Sequence, residues 1–296
     1  MNDILYENIS VDNLTFDEFN EKNIRVSVLR LDKIHPFISG NKWFKLRFYL
    51  DEARNQNKKS IVTFGGAWSN HILATAAACR IEKFSSTGII RGEAPATLSL
   101  TLEKAKELDM QLVFVSRDEY KQKNIPEEFQ KKEYFFIPEG GYGELGVKGA
   151  STILDHFDKE DFSHICCAVG TGTMMGGLIN ASSEKNFITG ISVLKNNFGI
   201  DSNVKLLVKP GKENYGIIHD YHFGGYAKYK PELISFMNSY YSRSNIPSDF
   251  VYTGKLFFAI ADLIQKNYFP SGSRILIIHS GGLQGNDSLE KGTLIF

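Results

Sequence analysis

The sequence predicts an α/β protein, with a two-lobed, three-layer αβα structure and parallel-type sheets. Short apolar runs typical of strands alternate with amphipathic runs typical of helices along most of the chain. Several predicted strands end in glycine-rich turns that lead directly into a helix, and such units build parallel sheets through right-handed crossovers. The chain has 296 residues, which suits two domains of about 150 residues each.

The first half of the chain alternates strands and helices. Residues 24–31 alternate apolar and polar side chains, as a half-buried strand does. A helix over about 42–56 follows, and then Ile61 to Phe64 form a continuous apolar strand that ends at Gly65-Gly66. The same patterns predict helices over 70–80 and 98–108 and strands over 88–90, 111–115 and 134–138.

The second half begins at the loop 139–143, which is a predicted hinge between the lobes. We expect a smaller domain over 48–148 and a larger domain that joins 1–47 to 149–296. The segments 195–203 and 211–229 carry no clear pattern. The remaining patterns predict helices over 146–158, from about 174, over 231–241 and over 255–267, and strands over 164–169, 187–194, 204–208 and 274–278.

Composition and charge exclude several classes of protein. Lysine plus arginine equals aspartate plus glutamate, 34 each, so no net field attracts nucleic acid or an anionic membrane. No apolar run approaches the 18 or so residues that span a bilayer, and the N-terminus lacks the pattern of a secretory signal. Cys79, Cys166 and Cys167 form no CxxC pair, which favours a reducing cytoplasm. The histidines show no metal-ligand spacing, so we expect no metal.

The stretch Ser39 to Leu46 is the first that points to chemistry. Lys42 follows Gly40-Asn41 and opens an amphipathic run, so we expect it in the first turn of a helix with Asn41 near the N-cap. The positive end of a helix dipole disfavours a cation there. A lysine that loses its proton easily can condense with a carbonyl to give a Schiff base. A solvated surface lysine is the plain alternative.

A glycine-rich turn over 169–177 follows a predicted strand and opens a predicted helix. Its backbone N–H groups, the hydroxyls of Thr171 and Thr173 and the positive helix end together suit a phosphate. The dinucleotide fingerprint GxGxxG fails because Met175 occupies its third glycine position, and the P-loop fails because Leu178 replaces its lysine. Close packing of the helix on the strand is the structural alternative.

Ser69-Asn70-His71 lies where the predicted strand over 61–64 turns into a helix. The nucleophile elbow GxSxG fails because Ala67 and His71 occupy its glycine positions. Ser69 is an ordinary N-cap residue; the functional alternative is that its hydroxyl and the helix-start N–H groups hold an amino acid's carboxylate. A Schiff-base lysine, a phosphate site and a carboxylate site are together what pyridoxal phosphate and an amino acid require.

These motifs together resemble those of a known family. Gly40-Asn41-Lys42, Gly65-Gly66, Ser69-Asn70-His71, Gly170 to Thr173, Tyr252-Thr253-Gly254-Lys255 and His279-Ser280-Gly281-Gly282 occur in this order. From about residue 24 to 285 the chain resembles the 1-aminocyclopropane-1-carboxylate deaminase and D-cysteine desulfhydrase family of tryptophan-synthase-β-like (fold type II) enzymes. The resemblance implies pyridoxal 5'-phosphate as cofactor, a small amino acid as substrate and a homodimer.

The resemblance also implies roles for individual residues. Lys42 forms the Schiff base and then moves the substrate's proton, and Lys45 is a structural neighbour. The implied catalytic residues are Lys42, Ser69, Tyr226 and Tyr252. The implied cofactor-binding residues are Lys42, Asn70, Gly170, Thr171, Gly172, Thr173, Thr253 and Ser280. The residues expected to face the substrate are Trp68, Ser69, Asn70 and His71, with Ser69 on the carboxylate.

Two positions separate the activities of the resembled family. Its deaminases carry Glu where Thr253 stands and Leu where Ser280 stands, so the hydroxyls here favour the desulfhydrase. A carboxylate at the cofactor's ring nitrogen strengthens the electron sink that opening a cyclopropane requires, whereas loss of a thiolate from a β-carbon requires less. We expect a lyase, also classed as a hydrolase or deaminase, that converts D-cysteine to pyruvate, ammonia and sulfide.

Other functions remain open from the sequence. The nearest is 1-aminocyclopropane-1-carboxylate deaminase. Another eliminase or dehydratase is favoured by Trp68, a bulky indole where both branches of the family carry Gln. A non-catalytic phosphate-binding module would also use the glycine-rich turn, but it would not need Lys42.

Overall fold

The computed structural model describes residues 4–296. Residues 1–3 lie outside the described residues. They belong to the expected larger domain and to the N-terminal stretch in which no secretory signal pattern is expected. The strands are β1 Val11–Leu14, β2 Arg25–Arg30, β3 Ser60–Gly65, β4 Ser85–Arg91, β5 Met110–Val115, β6 Tyr134–Ile137, β7 His164–Val169, β8 Phe187–Ser192, β9 Tyr215–Ile218 and β10 Arg274–His279. The helices are α1 Asp17–Asn20, α2 Asn41–Asn55, α3 Asn70–Glu82, α4 Leu100–Glu107, α5 Arg117–Gln122, α6 Glu144–Ser151, α7 Thr173–Ala181, α8 Gly199–Leu207, α9 Pro231–Ser244 and α10 Thr253–Gln265.

Two sheets organise the described chain. The larger sheet has six strands in the order β1-β2-β10-β7-β8-β9, and the smaller has four in the order β5-β4-β3-β6. The strands of each sheet pair in parallel, apart from the antiparallel pair of β1 with β2. Helices follow most of the parallel strands, as right-handed crossovers require. The predicted α/β class with parallel sheets is confirmed.

One apolar cluster joins the two sheets. Ile61 and Ile137 of the smaller sheet belong to it, together with Ile165 and Leu276 of the larger sheet and Phe44 of α2. The expected domain bounds at 48 and 148 fall inside α2 and α6, two helices that pack on each other. We propose that the two domains are topological units, each with its own sheet, that share these two helices.

Several segments differ from the prediction. Residues 204–208, expected as a strand, lie largely in α8, because Ile200 and Val204 form a buried stripe at helical spacing. The edge strands β1 and β9 escaped prediction because neither has an uninterrupted apolar run or a clear alternation: β1 has Asp12 and Asn13 at its centre, and every residue of β9 is only partly buried. The helix expected over 146–158 ends at Ser151 and continues as a 3-10 turn to His156.

Within residues 4–296, no helix combines the length and the apolar character needed to cross a membrane. The same part of the chain holds no group of three or more His, Cys, Asp or Glu side chains that is arranged to bind a metal ion. Its three cysteines are buried and free.

Candidate active site

A cavity of about 380 Å³ lies where strands of both sheets end. The residues that line it follow β3, β4 and β6 of the smaller sheet and β7, β8 and β10 of the larger. Ligands of open α/β sheets bind at the carboxyl ends of the strands, so this cavity is the candidate site. Ten predicted site residues line it: Lys42, Ser69, Asn70, His71, Gly170, Thr171, Gly172, Tyr226, Tyr252 and Ser280.

Three predicted site residues do not line this cavity: Trp68, Thr173 and Thr253. The side chain of Trp68 is directed to solvent and is 39% exposed. Thr173 is fully buried, but its hydroxyl lies 3.0 Å from the Thr171 hydroxyl on the wall. Thr253 is also fully buried. Its hydroxyl donates to Asp249, which was not among the predicted site residues.

The position of Lys42 is fixed by a close contact between two chain segments. Gly40 has φ of +67°, and a Cβ there would lie 1.8 Å from the carbonyl oxygen of Ser280, so only glycine fits. The backbone N–H of Asn41 donates to the same oxygen at 3.2 Å. Helix α2 therefore begins against the end of β10, with Lys42 as its second residue on the cavity wall.

Burial makes the amine of Lys42 easy to deprotonate. It lowers the pKa of Lys42 to about 8, although the negative charge of Asp249 acts in the opposite direction. The Lys42 Nζ donates to Asn41 Oδ1 at 3.1 Å and lies 5.9 Å from the centre of the Tyr252 ring. At pH 7 about one tenth of the free amine is neutral, the form that attacks a carbonyl.

The turn between β7 and α7 forms a cup for an anion. Gly172 has φ of +83° and stands at the N-cap of α7, which has no side-chain cap among the described residues. The first N–H groups of a helix lack partners within the helix, so those of α7 are available to a phosphate. The hydroxyls of Thr171 and Thr173 lie beside them.

Lys45, expected to be structural, also lines the cavity. Its ammonium donates to the carbonyl oxygen of Gly140 at 3.1 Å. A Cβ on Gly140 would lie 3.0 Å from Thr171 Cγ2, so this loop packs against the anion cup. Burial, and after it the charge of Lys42, lowers the pKa of Lys45 well below its usual value. Lys45 follows Lys42 by about one helical turn, and this spacing indicates that both amines lie on the same face of α2.

Ser69 and Asn70 line the cavity at the start of α3. The Ser69 hydroxyl accepts from the N–H of Ile72 at 3.3 Å, so Ser69 is the N-cap. Asn70 is buried, and its Oδ1 has no hydrogen-bond partner among the described residues. A Cβ on Gly282 would lie 2.5 Å from Asn70 Nδ2. An unpaired buried amide is costly, and it is the kind of group that a bound ligand would satisfy.

The tautomer of His71 follows from its partner. The Thr63 hydroxyl donates to the carbonyl oxygen of Ile137 at 2.7 Å, so the contact of 2.8 Å with His71 requires Nε2–H as the donor. Nδ1 is then an acceptor, and it has no partner among residues 4–296. Burial, followed by the charges of Lys42 and Lys45, lowers the pKa of His71 to about 3, so the ring is neutral.

Two tyrosines form the outer wall. The rings of Tyr226 and Tyr252 meet edge to face with their centres 6.2 Å apart. Burial raises the pKa of Tyr226 and raises that of Tyr252 well above its usual value. Both hydroxyls therefore keep their protons at neutral pH and can donate hydrogen bonds.

Asp249 is the residue that sequence reasoning missed. Its buried carboxylate accepts the N–H groups of Val251 at 2.9 Å, Tyr252 at 2.7 Å and Thr253 at 2.9 Å. The Thr253 hydroxyl donates to it at 2.7 Å, so that hydroxyl supports the start of α10. The signal was an aspartate shortly before a helix, a typical capping residue.

Arg91 and Glu139 also line the cavity and were not predicted. Glu139 accepts from the Tyr120 hydroxyl at 2.6 Å and from Lys123 at 2.5 Å. The guanidinium of Arg91 lies 5.9 Å from the centre of the Tyr120 ring. Both side chains are exposed, so they sit at the outer edge of the cavity.

The donor set fits pyridoxal phosphate. The uncapped start of α7 with its threonine hydroxyls suits the phosphate, and the amine of Lys42 suits the aldehyde. The unpaired amide oxygen of Asn70 identifies a polar position in the same cavity that protein atoms leave unfilled. We propose that these residues hold the cofactor.

Comparisons with known proteins identify the family. A model of the family described as "Pyridoxal-phosphate dependent enzyme" matches residues 14–281. A Thermotoga maritima protein provisionally named 1-aminocyclopropane-1-carboxylate deaminase is 31% identical over 273 residues, which cover 83% of this chain and 85% of that one. An Arabidopsis thaliana mitochondrial protein, named bifunctional D-cysteine desulfhydrase/1-aminocyclopropane-1-carboxylate deaminase, is 29% identical, with 84% and 70% covered.

A solved structure agrees. The crystal structure of a homologue of 1-aminocyclopropane-1-carboxylate deaminase superposes with a TM-score of 0.81 at 26% identity, and it covers 94% of this chain and 90% of that one. The predicted fold type, family and cofactor are confirmed. The names of these two relatives give deaminase and desulfhydrase activities. They do not support the expected classification as a hydrolase. The chain belongs to the family of pyridoxal-phosphate dependent enzymes, as a lyase or deaminase that uses pyridoxal phosphate.

Proposed function

We propose that this enzyme eliminates the thiol group of D-cysteine or a closely similar small amino acid, giving pyruvate, ammonia and sulfide. The observation that carries the proposal is the convergence of three groups on one cavity: the amine of Lys42, the start of α3 at Ser69 and the turn over 170–173. They supply a Schiff-base amine, a carboxylate site and a phosphate site, respectively.

Bound pyridoxal phosphate supplies an aldehyde that condenses with amines and a ring that stabilises negative charge at the substrate's Cα. The protein's part begins with positioning. The Ser69 hydroxyl and the first N–H groups of α3 hold the substrate carboxylate, and the neutral His71 offers Nδ1 as an acceptor to the substrate's amino group. This fixes the Cα–H bond with respect to Lys42.

Lys42 then acts as the base. Its Nζ takes the proton from Cα, because a buried amine with a lowered pKa is neutral in a substantial fraction of molecules near pH 8. The two tyrosines keep their protons, so Tyr252 can donate one to the departing sulfur. Tyr226 lies beside Tyr252, and we propose that it borders the substrate at that wall.

The choice of desulfhydrase rests on Thr253 and Ser280. Ser280 is buried and lines the cavity, where a small hydroxyl leaves room for a sulfur-bearing side chain. The Thr253 hydroxyl donates to Asp249, and this position supplies no carboxylate of its own, whereas the deaminases of the resembled family carry glutamate there. These two side chains support elimination of a thiol over ring opening.

Ring opening of 1-aminocyclopropane-1-carboxylate is the second candidate. It is favoured by the Thermotoga maritima relative, which is provisionally named for this activity, and by the Arabidopsis thaliana relative, which is named for both activities. The same cavity and the same base, Lys42, would serve it.

Product analysis separates the two candidates. The purified protein with pyridoxal phosphate is given D-cysteine, L-cysteine, D-serine or 1-aminocyclopropane-1-carboxylate, and sulfide, pyruvate and the four-carbon keto acid are measured. We expect sulfide and pyruvate in equal amounts from D-cysteine, and loss of both in Lys42→Ala. Formation of the four-carbon keto acid without sulfide would favour the deaminase, and no product from any of the four would overturn both.

A further inference from the structure

Lys255 is a buried lysine that the proposed reaction leaves without a role. It lies in the first turn of α10, is 0% exposed and does not line the cavity. Its ammonium donates to the carbonyl oxygens of His222 at 2.9 Å and Gly225 at 2.7 Å. Burying a cation is costly unless its donors are satisfied, so these two bonds determine where the ammonium and the two carbonyl groups lie.

The partners of Lys255 belong to a segment that carries Tyr226. We call residues 219–229 the tyrosine loop; it contains no helix or strand. Phe223 and Ala227 have φ of 51° and 50°, a left-handed conformation that is uncommon for residues other than glycine. Such a backbone persists only where surrounding contacts fix it.

Helix α10 provides those contacts through three of its side chains. The Lys255 ammonium binds the loop carbonyls, the ring of Phe258 meets that of Phe223 edge to face at 4.9 Å, and Asp262 accepts the hydroxyl of Tyr221 at 2.6 Å. The spacing of three and then four residues puts all three side chains on one face of the helix. The tyrosine loop is therefore bound along α10, next to the end of the helix that carries Tyr252.

The buried carboxylate of Asp249 contacts the backbone of Tyr252 and acts on Lys255 through its charge. Asp249 accepts the N–H of Tyr252 at 2.7 Å, and its charge favours the ammonium form of Lys255, whereas burial lowers the pKa of Lys255 to about 8. Tyr252 is thus placed directly by the start of α10, and Tyr226 is placed through the loop that Lys255 holds.

We propose that Lys255 is a positioning residue whose ammonium holds the tyrosine loop so that Tyr226 closes the cavity wall beside Tyr252. The effect on catalysis rests on the proposed function, in which Tyr226 borders the substrate. The effect on the order of the loop does not rest on the proposed function, so the proposal for Lys255 and the proposed function can be refuted separately.

The first test is hydrogen exchange of the holoenzyme, compared among wild type, Lys255→Met, Lys255→Arg and the control Lys228→Met. Lys228 is exposed in the same loop and makes no side-chain hydrogen bond among the described residues. We expect amides of 219–229 to exchange at least tenfold faster in Lys255→Met, with those of α7 unchanged, and slow exchange to return in Lys255→Arg. Unchanged exchange in the loop, or equally faster exchange everywhere, would overturn the proposal.

The second test is a double-mutant cycle with Tyr226→Ala. If Lys255 acts through Tyr226, Lys255→Met raises KM for the amino acid about tenfold with less effect on kcat, and adding it to Tyr226→Ala changes KM by less than twofold. Independent, multiplied effects would contradict the proposal. If no amino acid is turned over, the proposed function fails, and hydrogen exchange still decides the role of Lys255.

Discussion

At the scale of single residues, the lowered pKa of Lys42 follows from its burial at the start of a helix. The surrounding protein disfavours the ammonium form more than the charge of Asp249 favours it, so the pKa falls to about 8. Below that pH the amine is protonated and cannot attack a carbonyl; above it the neutral form predominates.

The rate at which the cofactor-free protein condenses with pyridoxal phosphate should therefore rise about tenfold per pH unit up to about pH 8 and then level off. Absorbance of the Schiff base after rapid mixing measures this rate between pH 6 and 10. A rate that keeps rising to above pH 10 would mean that the reacting amine is an ordinary, solvated lysine.

Gly172 is the residue on which the anion cup depends. Its φ of +83° disfavours any side chain, and a Cβ would also lie 2.8 Å from Val204 Cγ2. Gly211 is a matched control, since its φ is also +83° but a Cβ there would meet nothing within 4 Å.

We expect Gly172→Ala to weaken binding of pyridoxal phosphate at least tenfold and to cost about 1–3 kcal/mol of unfolding free energy. Gly211→Ala should cost about 1 kcal/mol and leave cofactor affinity unchanged. Fluorescence titration and urea unfolding measure the two quantities. Equal cofactor affinities in both variants would exclude the turn as the phosphate site.

At the scale of elements, the start of α10 organises one side of the site. The Asp249 carboxylate accepts three backbone N–H groups and the Thr253 hydroxyl. It thereby satisfies N–H groups that a helix start leaves without partners, and it brings a negative charge within reach of Lys42.

Asp249→Asn should lower the unfolding free energy by about 1–3 kcal/mol, because an amide cannot accept all four bonds. It should also shift the pH profile of Schiff-base formation to lower pH, since the charge that favours the Lys42 ammonium is removed. Asp118→Asn, at an exposed ion pair with Lys121, should change the unfolding free energy by less than about 0.5 kcal/mol. A profile that does not move, or that moves to higher pH, would refute the electrostatic link.

The difference between predicted and observed site residues has a physical cause. Lys42 and the turn over 170–173 act through local backbone geometry, so their motifs could be read from the sequence. The hydrogen-bond partner of the Thr253 hydroxyl could not be predicted, because the direction of a side chain depends on packing. In the structure this hydroxyl donates to Asp249. Trp68 adjoins Ser69 in sequence, yet its indole leaves the turn on the solvent side. Lys255 acts on a loop that is distant in sequence.

At the scale of the whole molecule, the site is built from both sheets. Parallel sheets could be predicted from the alternation of strand and helix patterns, but the order of the strands and the edge strands β1 and β9 could not. The predicted hinge over 139–143 is tied to α2, because Tyr49 donates to the carbonyl oxygen of Tyr142 at 2.6 Å and Lys45 to that of Gly140. The anion cup and Lys42 are thus held in one framework.

Because the proposed cofactor site draws groups from both sheets and exists only in the folded state, bound cofactor should stabilise the whole chain. At a concentration 100 times Kd the expected gain is about 2.7 kcal/mol, measured by urea unfolding with and without pyridoxal phosphate as a single shift of the full transition. A shift confined to one of two separate transitions would show that the sheets unfold independently.

Reduction with borohydride followed by peptide mass analysis tests whether Lys42 carries the cofactor. We expect one pyridoxyl phosphate group on the peptide that contains Lys42, and none on the Lys42→Ala protein. A label on Lys45 or Lys255, or no label on the wild-type protein, would contradict it.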